Sequence, residues 1–292
     1  MPNFDDSVRV RAVCALPVVL AAAFLTPQAA AGDAAVAALQ VGLRSHGLYR
    51  GPIDGISGPG TAKAVRRLQK RARIPIDGVV GPQTKRALGR FGRHSFGSRP
   101  LKSGNTGWDV ASLQFRLAAH GFPSGEFDGI FGSHIDAALR RFQEWAGLTA
   151  DGVAGPATLA ALTSPPPSIP LPLAWPLSNP VVGDPFGPRG DTWHAGIDLP
   201  APTGTPVYAA RAGQVVWAAW LDGFGYLVTV AHGSGERTMY AHLSRIDVRV
   251  GVWVGEGVRL GVVGSTGHAT GPHLHFEVRI RNASVNPLRA LP

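Results

Sequence analysis

Two stretches in the first half of the chain carry apolar residues at the spacing of amphipathic helices. Apolar positions recur at i, i+3 and i+7 from Val36 and again from Val110, which places them on one helix face. A longer run with the same periodicity follows each stretch, centred on Leu68 in the first and on Phe142 in the second. We therefore expect a helix and then a longer helix in both places.

These two stretches are copies of one unit. Residues 36–88 align with 110–162 at a constant offset of 74, and 25 of the 53 pairs are identical, which indicates duplication. In each copy a His-Gly pair ends the first helix, two Asp-Gly turns follow, and Gly-Pro-x-Thr introduces a short third helix. We interpret the two equivalent histidines, His46 and His120, as capping residues rather than metal ligands. The pattern predicts two small all-α repeats of three helices.

The last third of the chain has a different pattern. From Pro185 onward no helical periodicity is evident, and short β-rich runs alternate with glycine turns roughly every 8–12 residues. The runs cover residues 206–209, 214–219, 226–231, 237–243, 252–254, 259–263 and 276–280. This spacing predicts an antiparallel all-β domain.

The remaining segments define the domain organisation. Residues 93–103 form a Gly/Arg/Ser linker between the repeats, which we place at 32–92 and 104–163. Residues 164–180 are rich in proline and are expected to form an extended, semi-rigid spacer of a few nanometres. The spacer would separate the repeats from the β domain, which we place at 181–292.

Residues 1–31 have the pattern of a secretory signal peptide. Arg9 and Arg11 precede a 14-residue apolar segment, and small residues before Gly32 offer a cleavage site. The apolar segment is shorter than the ~20 residues of a membrane span, so an uncleaved anchor is the alternative that we do not adopt. Cys14, the single cysteine, lies in this segment, so the exported protein has neither disulfides nor cysteine metal ligands.

The net charge of +9 is concentrated in the first repeat. Residues 32–92 hold eleven Lys or Arg against three Asp or Glu, whereas residues 104–163 hold three against six. In an exported protein this charge indicates binding to an anionic surface, such as a wall polymer, rather than to nucleic acid. A solvated basic helix face is the alternative.

The chemistry-bearing residues lie in the β domain. His273 and His275 are two apart in a predicted strand, so both imidazoles project to one side and are either two metal ligands or a ligand beside a catalytic group. A second cluster, His194 and Asp198, is followed at once by prolines and cannot lie on a long helix. The chain contains no HExxH motif, which excludes that class of zinc protease. Any metal must use histidine and carboxylate.

Two family resemblances follow from these motifs. The paired Asp-Gly turns and the Leu68-Gln69 and Phe142-Gln143 positions resemble the peptidoglycan-binding domain of bacterial wall hydrolases. The C-terminal domain resembles the lysostaphin-type (LytM-like) zinc endopeptidases over residues 175–292. The motifs that carry this second resemblance are FGPR at 186–189, HAGID at 194–198, YAHL at 240–243, GSTG at 264–267 and GPHLHFE at 271–277.

The second resemblance implies a site. It makes His194, Asp198 and His275 the ligands of one Zn²⁺ in the catalytic domain, and His242 and His273 the catalytic pair. Three protein ligands leave a tetrahedral zinc one open position. Arg189 resembles a groove residue and either binds a peptide carboxylate or forms a loop salt bridge. Two further residues are open. Tyr240 either lines the cleft or packs inside, and Glu277 either supports the ligands or is solvated.

The sequence therefore predicts a secreted, wall-associated zinc endopeptidase that cleaves peptide cross-links of peptidoglycan. We expect a monomer that is targeted by its two repeats and has neither a nucleic-acid partner nor a stable membrane anchor. One alternative is a non-enzymatic activator or scaffold of the same fold, which would be expected to lack a ligand or a catalytic histidine. Another is a peptidase of free peptides that uses the repeats as general adhesives.

Overall fold

A computed structural model describes residues 32–292, except for 168, 170 and 171. The predicted signal peptide, 1–31, lies outside the described residues. Each repeat has three helices, as predicted: α1 Ala34–Ser45, α2 Pro59–Arg71 and α3 Pro82–Ala87, then α4 Trp108–Ala119, α5 Ser133–Trp145 and α6 Pro156–Ala161. His46 and His120 end α1 and α4, and each is followed by a glycine with positive φ. Within the described part of the chain, no helix is both long and apolar enough to cross a membrane.

A buried glutamine fixes each Asp-Gly turn of the repeats. In the first turn, the Gln40 amide donates to Asp54 Oδ1 at 2.7 Å, and its oxygen accepts from the Gly55 N–H at 2.9 Å. The same pair of contacts recurs at the other three turns, from Gln69, Gln114 and Gln143. A buried amide needs partners for both its donor and its acceptor. The turn supplies both, which explains why glutamine recurs at these helix positions.

Eleven strands follow in the described C-terminal part of the chain. They are β1 Gly187–Arg189, β2 Thr192–His194, β3 Ile197–Pro200, β4 Pro206–Tyr208, β5 Gly213–Leu221, β6 Gly225–Gly233, β7 Glu236–Ile246, β8 Trp253–Val254, β9 Arg259–Val263, β10 His273–Ile280 and β11 Ala283–Val285. β1 and β2 form a separate hairpin. The other nine form one sheet with the central order β11-β10-β7-β6-β5-β8, in which β3 pairs with β10 and β9 with β4 and β7. Every pairing is antiparallel, and all seven predicted runs are strands.

The two faces of β10 differ in character. Leu274, Phe276 and Val278 point into the apolar core of the domain, where they pack against residues of β6, β7 and β9. Because strand side chains alternate, His273, His275 and Glu277 point to the opposite face. The core thus holds the strand rigid, and the other face is left for chemistry.

The predicted spacer between the repeats and the β domain does not hold them apart. Leu173 and Leu177, which stand between its prolines, belong to the core of the β domain. The Ala174 N–H donates to the Ala210 carbonyl at 2.8 Å, which ties the segment to the strand region. The prediction of a free spacer over 164–180 is therefore wrong in this part, because apolar side chains between prolines gain more by burial than by solvation.

The two repeats and the β domain are also in direct contact. Helices α1 and α4 pack side by side through small residues such as Ala38 and Ala111, so one face of α4 joins the apolar core of the first repeat, while its other face belongs to a separate core of the second repeat. Trp193 of β2 inserts into the core of the first repeat, where its ring meets Phe115 edge-on at 5.6 Å. Its other side meets Phe186 of the β domain at 5.6 Å. Trp193 therefore joins the repeats to the domain that bears the site.

Candidate metal centre

Three elements bring the predicted ligands together. His275 on β10 stands directly opposite Asp198 on β3 in the antiparallel register. His194 is the last residue of β2, and the tight connection to β3 turns its ring back toward Asp198. The His-x-x-x-Asp spacing thus arises from a strand, a turn and a second strand, not from a helix.

The distances among the three ligand atoms fit a small tetrahedral metal ion. His194 Nε2 lies 3.1 Å and His275 Nδ1 lies 2.8 Å from Asp198 Oδ1, and the two nitrogens are 3.0 Å apart. Zinc with ligands at 2.0–2.1 Å would separate them by about 3.3 Å. Among the described residues these three are the only His, Cys, Asp or Glu group close enough to hold a metal.

Oxygen acceptors fix the protonation of both ligand histidines. His194 Nδ1 lies 3.0 Å from the Pro185 carbonyl, and His275 Nε2 lies 3.0 Å from Glu277 Oε1. Neither oxygen can donate, so each of these nitrogens carries the hydrogen. The opposite nitrogen of each ring faces Asp198 Oδ1 and is the atom that would bind a metal. Burial would lower the pKa of His275, but hydrogen bonds to Asp198 and Glu277 outweigh it and raise the pKa to about 9, so a metal bound there would displace a proton.

Glu277 is the buried carboxylate that accepts the hydrogen bond from His275. Its side chain is 1% exposed, and its second oxygen accepts from Arg279 Nε at 2.8 Å. Burial alone would raise the pKa of Glu277, but the hydrogen bond from His275 and the charge of Arg279 outweigh it and lower the pKa. The carboxylate is thus a charged partner of the ligand rather than a solvated group, which resolves the alternative left open by the sequence. The spacing of two between His275 and Glu277 is the sequence feature that places both side chains on one face of the strand.

His242 and His273 lie beside the three ligands. Their ring centroids are 4.7 Å apart, and His273 Nε2 lies 3.6 Å from Asp198 Oδ1. His242 Nδ1 donates to the Thr266 carbonyl at 2.7 Å, and His273 Nδ1 to the Gly271 carbonyl at 2.8 Å. Both rings therefore carry a proton on Nδ1, and the neutral form of each has its free electron pair on Nε2. Burial is the main reason that the pKa of His242 falls to about 4.

A bulge turns His242 toward the ligands. Across β6 and β7, Tyr226 pairs with Leu243 and Val228 with Tyr240, so two residues of β7 oppose one of β6. His242 takes the left-handed conformation there, with φ of 60°. Its N–H donates to the Phe224 carbonyl at 2.8 Å, which holds this uncommon geometry in place.

The same bulge leaves the side chain of Tyr240 in the core of the β domain. Tyr240 is 0% exposed, belongs to the core, and accepts at its hydroxyl from the Ala210 N–H at 2.8 Å. Burial raises the pKa of Tyr240 to about 12. The prediction that it lines the cleft is wrong, because the bulge puts His242 and Tyr240 on opposite faces despite their spacing of two.

Arg189 reaches the centre from the hairpin. Its NH1 lies 3.1 Å from Asp198 Oδ2 and 3.5 Å from Asp184 Oδ2. The two oxygens of Asp198 are therefore divided, with Oδ1 toward the histidines and Oδ2 toward Arg189. Burial would raise the pKa of Asp198, but hydrogen bonds from His194 and His275 outweigh it and hold the pKa far below its usual range.

Both repeats hold the turn of this hairpin. The Ile53 N–H of the first repeat donates to the Gly190 carbonyl at 2.6 Å. The Phe127 N–H of the second donates to the Asp191 carbonyl at 2.7 Å, and Arg44 forms a salt bridge with the Asp191 carboxylate at 3.2 Å. The strand that carries His194 is thus anchored by contacts from outside its own domain.

The five residues open into one cleft of about 520 Å³. Its lining includes Arg189, Phe224, His268 and Thr270, besides the ligands and His242 and His273. A cleft with a His/Asp/His triad and two extra imidazoles is the arrangement of a metallopeptidase of the class that keeps an open metal position.

Comparison with known sequences agrees with this class. Residues 192–287 match the family model described as "Peptidase family M23". Residues 32–88 and 106–162 each match "Putative peptidoglycan binding domain". The chain therefore carries an M23 metallopeptidase domain preceded by two peptidoglycan-binding domains, and both predicted resemblances are confirmed.

Individual relatives share only parts of the chain. The DD-carboxypeptidase/endopeptidase Mpg of Neisseria meningitidis serogroup B is 45% identical over 118 residues, 38% of this chain and 27% of that protein. The peptidoglycan DD-endopeptidase ShyA of Vibrio cholerae is 43% identical over 97 residues, 33% of this chain and 23% of that protein. This chain thus spans about a quarter of the length of these relatives. The catalytic domain of lysostaphin from Staphylococcus simulans is 35% identical, with a TM-score of 0.36, over 38% of this chain and 90% of that one.

Proposed function

We propose that this protein is an exported zinc endopeptidase that hydrolyses peptide cross-links of bacterial peptidoglycan. One zinc ion would be held by His194, Asp198 and His275. Two neutral imidazoles and a carboxylate are a donor set of catalytic zinc sites, and the three atoms lie at the spacing such an ion takes. The observation that carries the proposal is this triad beside two further imidazoles, each of which donates its Nδ1 hydrogen to a backbone carbonyl.

The chain's own residues then account for proton transfer. When bound, zinc acts as a Lewis acid that polarises the scissile carbonyl and makes water a better nucleophile. Because backbone carbonyls hold the Nδ1 hydrogens of His242 and His273, the neutral form of either ring accepts at Nε2 the proton that attacking water loses. The protonated ring then donates at that atom, to the developing oxyanion or to the leaving amine. The carbonyls of Thr266 and Gly271 hold the rings in the required tautomer.

An enzyme fits the chain better than an activator or scaffold. A non-enzymatic relative of this fold would be expected to lack a ligand or a catalytic histidine. All five residues are present, and the structure brings them to one cleft. Arg189 is half-exposed at the edge of the centre, and we assign it to binding a substrate carboxylate in addition to holding Asp198.

The substrate follows from the attached domains. The two peptidoglycan-binding domains would deliver the protein, as a monomer, to the wall or periplasm, where its cross-links are the available peptides. The names of two relatives contain "DD-carboxypeptidase/endopeptidase" and "DD-endopeptidase", which supports a cross-link between D-amino-acid residues over a glycine bridge. Anionic wall polymers are proposed as a second partner, through the basic α2.

Digestion of purified walls tests the proposal. The wild-type protein is expected to release fragments whose new amino and carboxyl termini, identified by mass spectrometry, lie within peptide cross-links. His273→Ala serves as the matched inactive control. Release of sugar-reducing ends only, or cleavage of free peptides but not of walls, would contradict the proposal. Binding to walls without any new termini would favour the activator.

A further inference from the structure

An exposed aromatic pair stands on the hairpin formed by β5 and β6. Trp220 and Tyr226 are directly opposite each other in the register, and their rings meet edge-on with centroids 5.4 Å apart. Trp220 is 50% exposed and Tyr226 is 41% exposed. Single exposed aromatic residues are common, but two large rings that stand exposed side by side form an apolar surface on which a ligand can stack. We call these two residues the aromatic pair.

The aromatic pair adjoins the cleft. The turn between its two members includes Gly223 and Phe224, and both line the cleft beside His242. The Phe224 carbonyl accepts from the His242 N–H at 2.8 Å. The pair is therefore separated by a few residues of one tight turn from the proposed catalytic histidine.

The hairpin is also tied to the loop that orients His242. The Tyr226 N–H donates to Thr266 Oγ1 at 3.1 Å, and the carbonyl of the same Thr266 accepts from His242 Nδ1. On the other side of the turn, the His268 N–H donates to the Gly223 carbonyl at 2.9 Å. These contacts fix the aromatic pair relative to the cleft, so a ligand on the pair has a defined position with respect to the reacting bond.

The charge of the hairpin that carries the pair favours a neutral, hydroxyl-bearing ligand. Asp222 is the only charged residue between 213 and 233, and its carboxylate accepts from Trp220 Nε1 at 3.2 Å. A carboxylate repels anionic polymers but accepts hydrogen bonds from hydroxyl and amide groups. Sugar rings carry apolar C–H faces that stack on aromatic rings, with hydroxyls at their rims. The pair and Asp222 together offer both kinds of contact.

We infer that Trp220 and Tyr226 bind a sugar of the glycan strand while the peptide attached to that strand occupies the cleft. The inference rests on the proposed function and deepens it, because in peptidoglycan every stem peptide is covalently attached to the glycan. Stacking at this position selects cross-links that are still attached to the wall over free peptides. The aromatic pair is thus a specificity determinant and takes no part in the proton transfers.

Two substrates that differ only in their sugars test this inference. One is a cross-linked muropeptide dimer that retains its disaccharides, and the other is the same dimer after an amidase has removed them. For the wild-type protein, KM is expected to be lower for the sugar-bearing dimer. Trp220→Ala and Tyr226→Ala should each raise that KM about 3- to 10-fold, the size of one lost stacking contact. The kcat for both dimers and the KM for the sugar-free dimer should stay unchanged.

Trp253→Ala is the matched control. Trp253 is 69% exposed on the same sheet, but it pairs with Gln214, at the opposite end of β5 from Trp220. It should change neither KM. Unchanged turnover of the sugar-free dimer also shows that a Trp220 variant is folded.

Several outcomes would overturn the inference. Equal KM values of the wild-type protein for the two dimers would do so, as would equal effects of Trp220→Ala on both. A wild-type dimer that Trp220→Ala converts to a monomer in sedimentation would assign the pair to a second copy of the chain instead. Failure of the wild-type protein to cleave either dimer would contradict the proposed function, and would be distinct from cleavage of both without preference.

Discussion

Four of the imidazoles that line the cleft each donate one ring N–H to an oxygen acceptor. The oxygens belong to Pro185, Thr266, Gly271 and Glu277. These hydrogen bonds place a proton on one nitrogen of each ring and turn the other nitrogen toward the cleft. At the residue scale, the orientation of all four rings is therefore set by acceptors of the protein itself.

Variants of the two histidines of β10 should have different effects. His275→Ala removes a proposed metal ligand, so we expect bound zinc and activity to be lost together. His273→Ala removes a proposed proton acceptor that is not among the proposed ligands, so zinc should be retained while kcat falls about 10²- to 10⁴-fold. Elemental analysis alongside kinetics makes the comparison. Full zinc occupancy in His275→Ala, or zinc loss in His273→Ala, would show that the assignments are wrong.

A second prediction concerns His232, which is remote from the ligands in sequence and hydrogen-bonds into the core. Tyr240 accepts from the Ala210 N–H and donates to Thr238, Thr238 donates to His232 Nε2, and His232 Nδ1 donates to the Ala212 carbonyl. This chain is complete only with a neutral ring. Burial is the main cause that lowers the pKa of His232 in the folded protein.

The sign of the pH effect follows from that shift. Because the folded pKa lies below the unfolded value of about 6.5, the unfolded chain binds more protons in mild acid. The contribution of His232 to stability is thus complete above about pH 6.5 and is lost as pH falls through the folded pKa. His232→Gln, which can make both hydrogen bonds without titrating, should flatten the dependence of the urea midpoint on pH between 5 and 7.5. An unchanged dependence would contradict this origin.

The sequence was informative about residues where local geometry is regular. Alternation along β10 correctly separated His273, His275 and Glu277 from Phe276. The same alternation gave the wrong face for Tyr240, because the bulge at His242 interrupts the strand. Histidine is not a residue type from which a positive φ is predicted. The acceptors Thr266 and Gly271 act through backbone carbonyls, which any residue supplies, so the sequence could not single them out.

At the scale of elements, the two long helices of the repeats differ mainly in charge. Helix α2 exposes Lys63, Arg66, Arg67, Lys70 and Arg71, and among the described residues none of these forms a salt bridge. In α5, by contrast, Arg140 pairs with Asp136 at 2.8 Å. Equivalent helices thus present an uncompensated basic face in one repeat and a compensated one in the other.

The difference in charge between α2 and α5 should appear as a difference in how strongly salt weakens binding to the wall. Replacing Arg66, Arg67 and Lys70 by glutamine in the whole chain is expected to weaken binding to purified walls and to reduce its sensitivity to salt. Exposed charges are screened beyond about 8 Å at physiological ionic strength. Replacing the equivalent Arg140 and Arg141 should have little effect. Sedimentation across a salt series makes the measurement. Equal effects of the α2 and the α5 replacements would show that the basic face of α2 is only a solvated surface. Undiminished binding to walls stripped of anionic polymer would show the same.

Helices and strands with a regular apolar period can be predicted from the sequence. Short strands that form only because another strand pairs with them cannot. The i, i+3 spacing located the first two helices of each repeat, the Gly-Pro-x-Thr motif located the third, and turn spacing located seven strands. The short β1, β2, β3 and β11 have no period of their own and exist because neighbours pair with them. Leu173 and Leu177 fall in the predicted spacer, because the sequence does not show that the β domain has an apolar surface on which these two side chains become buried.

At the scale of the whole molecule, Trp193 joins parts that the sequence presents as separate. Trp193→Ala should destabilise the protein by about 3–5 kcal/mol, because a large buried ring is lost from a core shared by two domains. The exposed Trp253→Ala should change stability by less than about 0.5 kcal/mol. Urea unfolding followed by fluorescence and by zinc release compares the two.

Trp193→Ala should also weaken zinc binding, since the neighbouring residue in β2 is the proposed ligand His194. A variant that is destabilised but keeps zinc with wild-type affinity would show that the hairpin needs no support from the repeats. Equal stability of the two tryptophan variants would contradict the shared core itself.

The direct packing of the repeats on the peptidase domain also sets the reach of the protein along its substrate. A tethered enzyme sweeps a volume set by its linker and can cut many bonds from one anchoring point. Here the hairpin contacts with Ile53, Phe127 and Arg44 hold the cleft at a fixed distance from the repeats, which are proposed to bind the wall. On the proposed function, one binding event would expose only the cross-links at that distance to cleavage, and a second cut elsewhere would require release and rebinding. The positions of the cuts would then follow the positions at which the repeats bind.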